Sequence, residues 1–196
     1  MPDAPPAAAQ LGARMQLPPV LPGRVCGECT VCCVELEIDD PALSKPDYVP
    51  CPHMIRGGGC GIHARQPQAC RSWFCGWRFL NLSDALRPDR CGVMLSPELG
   101  AAPGYEKGGL RVVLVNGDRS GLRNDELLDF LARCIKGGVP IFLSYGNGRF
   151  ARRALVNDAA RPTIDAGDKP LFLATLTGFL DVMAAAVNAE IAAATA

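Results

Sequence analysis

Apolar and polar positions follow different rhythms in different parts of this chain, and the changes of rhythm divide it. From residue 91 onward the pattern is that of an ordinary folded protein. Residues 91–96 and 110–115 are short apolar runs that predict strands, the second bounded by Gly109 and by the turn signal Asn116-Gly117. Leu127, Leu128, Leu131, Cys134 and Ile135 then recur at helical spacing and predict a helix over about 122–136. Asp125 and Glu126 near its start and Arg133 and Lys136 near its end suit the helix dipole, and Gly137-Gly138 stops it. Residues 139–145 and 149–156 predict a hairpin across Gly146-Asn147-Gly148. A terminal helix is predicted over about 169–193.

In that last segment Phe172, Leu176, Phe179, Leu180, Met183 and Val187 share one face. Between 170 and 187 the only charge is Asp181, so a membrane span is the competing reading. Thr175, Thr177, Asp181 and Asn188 on the remainder favour an amphipathic helix packed over a sheet. The element order, with neighbouring strands joined by short turns, gives an α+β class with a mixed, mainly antiparallel sheet and two helices.

Upstream the periodicity fades. Residues 1–24 are rich in Pro and Ala, without the basic start and continuous apolar core of a secretory signal, and are expected to form a disordered tail. Residues 25–90 are full of Gly and Pro, and their own apolar core would be thin. The expected organisation is thus a tail over 1–24, a cysteine-rich region over 25–90, and an α+β region over 91–196 packed on it. Regions of this thin-cored kind usually need a staple.

Composition says what that staple is made of. Eight of the ten cysteines in the 196-residue chain fall between Cys26 and Cys75. With no signal read, the expected compartment is the cytoplasm, where thiols stay reduced. Adjacent Cys32 and Cys33 do not readily bridge each other and cannot easily point the same way. Cys26-x2-Cys29-x2-Cys32 lets three sulfurs converge on one centre. Cys33, Cys51, Cys60, Cys70 and Cys75 complete eight thiols, enough for two four-sulfur sites or one site with spares. Metal is the expected ligand, with Cys26, Cys29, Cys32, Cys33, Cys51, Cys60, Cys70 and Cys75 as its candidate donors.

Both histidines, His53 and His63, lie in the same region, each a candidate extra donor or a plain loop residue. Cys91 and Cys134 read as small buried hydrophobes. Net charge is zero, and Arg149, Arg152, Arg153 and Arg161 form the one basic cluster, so neither nucleic acid nor an anionic membrane is an expected partner. A protein partner is compatible with the composition. No Walker loop, complete dinucleotide fingerprint or Ser/His/Asp constellation is present.

These cysteines carry a resemblance. The order C-x2-C-x2-C-C, a lone Cys, then C-x-I-[Y/H]-x3-P-x2-C-R and a final Cys resembles the YkgJ-like cysteine-cluster family, described as a zinc- or iron-chelating domain. Cys26, Cys29, Cys32 and Cys33 match the opening, Cys51 the lone position, and Cys60, Ile62, Pro67, Cys70, Arg71 and Cys75 the close. His63 stands where the family often has Tyr, and Gln66 stands where it usually has Arg. The resemblance covers residues 25–77 and implies metal binding rather than a pathway.

Zinc modules typically supply two C-x2-C pairs, and the second is missing here. Iron–sulfur proteins use C-x2-C-x2-C with a distant Cys-Pro, which Cys51-Pro52 supplies. Iron, mostly as a cluster, is therefore weighed slightly above zinc. Trp73, Phe74, Trp77 and Phe79 would shield a cluster or form the small core of the region, and Arg71 would neutralise an anionic site or bind a loop carbonyl. Three function classes follow: a metal site that mainly holds the fold, an iron–sulfur protein in electron transfer or protein modification, and a thiol-redox or metal-handling protein. The first is preferred. The second has a parallel in flagellin lysine methylases, which resemble this family in carrying a related cysteine cluster.

Overall fold

Alternation along two neighbouring strands sorts this molecule into its two sides. The computed structural model describes residues 19–98, 108–146 and 151–195. Strand β3 (Val93–Glu98) pairs antiparallel with β4 (Gly109–Leu114), which sets Met94 against Val113 and Leu95 against Val112. Val93, Leu95, Leu110, Val112 and Leu114 enter one apolar cluster, while Met94 and Val113 enter another. Period-two geometry sends successive side chains to opposite faces, so both faces of the sheet are covered.

Strand β5 (Ile141–Tyr145) runs parallel to β4, and β6 (Arg152–Leu155) closes the order β3-β4-β5-β6 antiparallel to β5. The parallel step needs a crossover, which α5 (Asp125–Lys136) supplies. Asn124 caps α5, its side chain accepting from the Leu127 N–H at 3.1 Å. Leu127, Leu128, Leu131 and Ile135 of α5 are buried against the sheet, as their spacing predicts. Cys134 is half-buried against the same core. The architecture is α+β with a mixed sheet.

Several predicted boundaries shift. Cys91 does not begin a strand but ends the short helix α4 (Pro88–Cys91). Pro88 presets its first turn, and Gly92, at φ 72°, ends it in the left-handed region. The Cys91 thiol is buried, 3.2 Å from the Val93 carbonyl oxygen. A further helix, α6 (Asn157–Asp165), fills the stretch before the terminal one. Pro162 inside it hides it from a sequence reading, yet Ala160, Thr163 and Ile164 are buried and hold it. Asn157 fastens its start, accepting the Ile141 N–H at 2.8 Å and donating to the Val139 carbonyl at 2.9 Å. Residues 147–150, the tip of the predicted hairpin, lie outside the described residues.

Helix α7 (Lys169–Thr195) buries Phe172, Leu176, Leu180, Met183 and Val187, the predicted stripe apart from the partly buried Phe179. By length and composition it is also the one described helix apolar enough to cross a membrane, with 28% of its most apolar stretch buried. The basic cluster is neutralised locally. Arg152 pairs with Glu190, Arg153 with Glu98 and Arg161 with Asp165, and Arg149 lies outside the described residues.

The cysteine-rich region is built from short pieces. They are α1 (Val31–Glu35), the two-stranded ribbon β1 (Ile38–Asp40) and β2 (Leu43–Lys45), α2 (Gln68–Arg71) and α3 (Gly76–Phe79). Of the expected tail, residues 1–18 lie outside the described residues. Leu21 and Arg24 are pinned to the body. The Leu21 N–H donates to the Arg78 carbonyl at 2.9 Å, and the Arg24 guanidinium stacks on Trp77 and pairs with Asp84.

Candidate functional site

Between residues 26 and 75 the buried side chains are Val31, Glu35, Leu43, Lys45, Cys51 and Pro67. Two of these six are charged, so apolar burial cannot be the main force that orders this region. Its backbone is tied by loop hydrogen bonds instead. The Cys29 N–H donates to the Cys26 carbonyl at 3.0 Å, the Cys51 N–H to the Cys33 carbonyl at 2.9 Å, and the Gly61 N–H to the His53 carbonyl at 2.9 Å. Met54 and Cys60 form an isolated antiparallel bridge, and Asp40 anchors α2 by accepting the Ala69 N–H at 3.1 Å.

These ties wrap the chain around a cavity of about 380 Å³. Cys26, Cys32, Cys33, Cys51, Cys60, Cys70 and Cys75 all line it. Cys29, the eighth candidate, packs beside Cys32 and Cys75 on the Met94–Val113 patch of the sheet. None of the ten cysteines is in a disulfide. Among the described residues, no three Cys, His, Asp or Glu side chains stand close enough together to hold one ion as placed. The sulfurs are spread around the cavity wall rather than gathered at a point.

Adjacency does not separate Cys32 from Cys33. Both thiols line the cavity. Neighbours in sequence cannot easily point the same way, yet these two face one cavity. The interaction of the two thiols raises Cys32, aided by burial, and lowers Cys33. Burial raises Cys29, Cys70 and Cys75, the last to about 11.

Three cations missed from the sequence surround these thiols. Arg78 lines the cavity, its Nη1 lies 3.9 Å from Cys26 Sγ, and its guanidinium covers the Phe74 ring. Arg111 reaches the cavity from β4, with its Nε buried and without a hydrogen-bond partner among the described residues. Lys45 is 4% exposed and donates to the carbonyls of Val34, Leu36 and Pro46. Burial lowers its ammonium, and the neighbouring Cys51 and Cys33 thiols oppose that effect. Arg78 follows Cys75 by three residues and so shares its helical turn, a spacing that could have flagged it. Nothing local flags Lys45 or Arg111.

The other candidates divide. Arg71 is exposed, hydrogen-bonded to Gln68 and absent from the cavity wall. His63 lines the cavity from its exposed mouth, and His53 does not line it. Trp73 and Phe74 form part of the wall, whereas Trp77 and Phe79 belong to the main core.

Cys75 touches both apolar clusters, because the chain there rounds the β3 edge of the sheet. Gly76 makes that close passage possible. A methyl at Gly76 would stand 2.8 Å from Leu95 Cβ and 2.9 Å from Leu80 Cδ1. Leu80 can turn away, but Leu95 Cβ is fixed to the strand. Gly76→Ala is therefore expected to cost about 1–3 kcal/mol by overpacking, read as a lower urea midpoint at unchanged slope.

The fold and the cavity together define a class: an α+β protein with a thiol-walled cavity laid on one face of a mixed sheet. No family model, curated protein or solved structure matches this chain.

Proposed function

We propose that this protein binds a thiophilic metal, zinc or iron, through the cysteines of residues 26–75, and that the metal mainly holds this region folded or is handled there. One observation carries the reading. Seven unpaired thiols line a single cavity in a region whose buried set includes two charges and few apolar groups. The donor chemistry fits, since thiolates are the ligands that zinc and iron–sulfur centres share. A metal–thiolate centre is net negative, and Arg78 and Arg111 in the wall suit such an occupant. The sulfurs must close in to coordinate, and the raised thiols must release protons as they do. Membership of the YkgJ-like family belongs to the same proposal and rests on the cysteine spacing. Free thiols throughout suit a reducing, cytoplasmic setting.

An iron–sulfur protein, in electron transfer or protein modification, is the second reading. It is favoured by a cavity larger than one tetrahedral ion requires and by Trp73 and Phe74 in its wall.

Anaerobic purification, a visible spectrum, and counts of metal and acid-labile sulfide per chain test both readings. Stoichiometric zinc in a colourless protein supports the structural site and sinks the cluster. Iron with sulfide does the reverse. A reduced, folded chain that retains and takes up neither metal overturns metal binding. Cys134→Ser is expected to leave the metal content unchanged, because that thiol packs on the helical core.

A further inference from the structure

The eight thiols are not equivalent neighbours. Cys26 and Cys29 share a turn closed by a hydrogen bond, and Cys29, Cys32 and Cys75 pack together on the patch made by Val31, Met94 and Val113. Cys33 and Cys51 are joined by a backbone hydrogen bond, and Cys51 is tied to Cys60 through the Met54 bridge. The thiols influencing Cys70 follow the same division, being Cys33, Cys51 and Cys60. Those influencing Cys75 are Cys26 and Cys29, while Cys32 is influenced most by Cys33, across the division, and then by Cys26 and Cys75.

Each group also has its own cation. Arg78 sits on Cys26, and Lys45 lies by Cys51 and Cys33, with Cys32 a weaker neighbour. A buried ammonium whose three donors are all spent on carbonyls is held in place by the backbone. It is a fixed positive charge beside sulfurs that would become thiolates.

We propose that the cysteines form two four-thiolate metal centres side by side, Cys26/Cys29/Cys32/Cys75 against the sheet and Cys33/Cys51/Cys60/Cys70 against the ribbon, meeting at the Cys32–Cys33 peptide and compensated by Arg78 and Lys45 respectively. This rests on the metal-binding reading above and adds the number of centres and their donors. Four thiolates leave any divalent ion net negative, and two such centres close together repel. A cation fixed beside each lowers that cost. Among the described residues no three of these sulfurs stand together as placed, so each set must close in around its ion.

The test is a Co(II) titration of the full, metal-stripped chain under reducing, anaerobic conditions, followed by thiolate-to-cobalt absorption and native mass. Two equivalents are expected. In the one-ion species, selected by mass, alkylation should spare four thiols belonging to one set. This footprint uses the unmutated protein and does not depend on how variants fold. Cys29→Ser and Cys75→Ser should each lose one equivalent, and so should their double variant. Cys70→Ser should lose the other, and pairing it with Cys29→Ser should lose both. One equivalent in total, ions that load only together, or protection that mixes the sets would overturn the division while leaving metal binding intact. Failure of the chain to take up cobalt, zinc or iron would overturn both.

Discussion

Stripping the proposed metal from the purified, reduced protein is expected to unfold residues 26–75 and leave the sheet standing. Helices α1 and α2 are five and four residues long, and β1 and β2 have three residues each. Helices this short do not hold in water, and an isolated two-stranded ribbon is marginal. The buried residues of this stretch include Glu35 and Lys45, whose desolvation opposes folding. A structural zinc contributes about 10–16 kcal/mol in small modules, comparable with the whole net stability of an ordinary domain, about 5–15 kcal/mol.

Hydrogen exchange checks this directly. After chelation the Cys51 amide, bonded to the Cys33 carbonyl, should exchange freely, while amides of β4 and β5 keep their protection. Retained protection across residues 26–75 in protein verified to be metal-free would show that the region folds by other means.

Gly109→Ala should be the most damaging single change in the sheet. Gly109 opens β4 opposite Pro140, where β4 meets its parallel neighbour. An added methyl would overlap the Pro140 carbonyl oxygen and stand 2.8 Å from Pro140 Cβ. That carbonyl accepts the Leu110 N–H at 2.9 Å, so it cannot swing away without losing the bond. Proline's fixed φ limits relief from the other side. A loss of about 3–5 kcal/mol is expected, seen as a fall in the chemical midpoint of the sheet. The same substitution at exposed Gly178, where a methyl meets nothing within 4 Å, should be neutral or slightly stabilising.

Much of this arrangement is legible in the chain. The stripe from Leu127 to Ile135 and that from Phe172 to Val187 state their helices, because tertiary packing uses the same 3.6-residue period that the sequence displays. The eight cysteines announce themselves by density. What stays hidden is set by long-range contacts. Helix α6 contradicts its own Pro162 and exists because Ala160 and Ile164 find the core. Lys45 and Arg111 come to the thiols through folding, from a ribbon and a strand whose local sequence is unremarkable. Cys29 differs from its seven partners because of where α1 rests on the sheet, which no spacing encodes.

Strand β4 serves two masters in strict alternation. Leu110, Val112 and Leu114 face the helical core, and Arg111 and Val113 face the thiols. The strand therefore has a parity. Adding two residues within it would leave every side chain on its own side. Adding one would drive a guanidinium into the oil of the core and present bare aliphatics to the sulfurs. The two halves of the molecule are thus locked in phase by a strand that neither half owns.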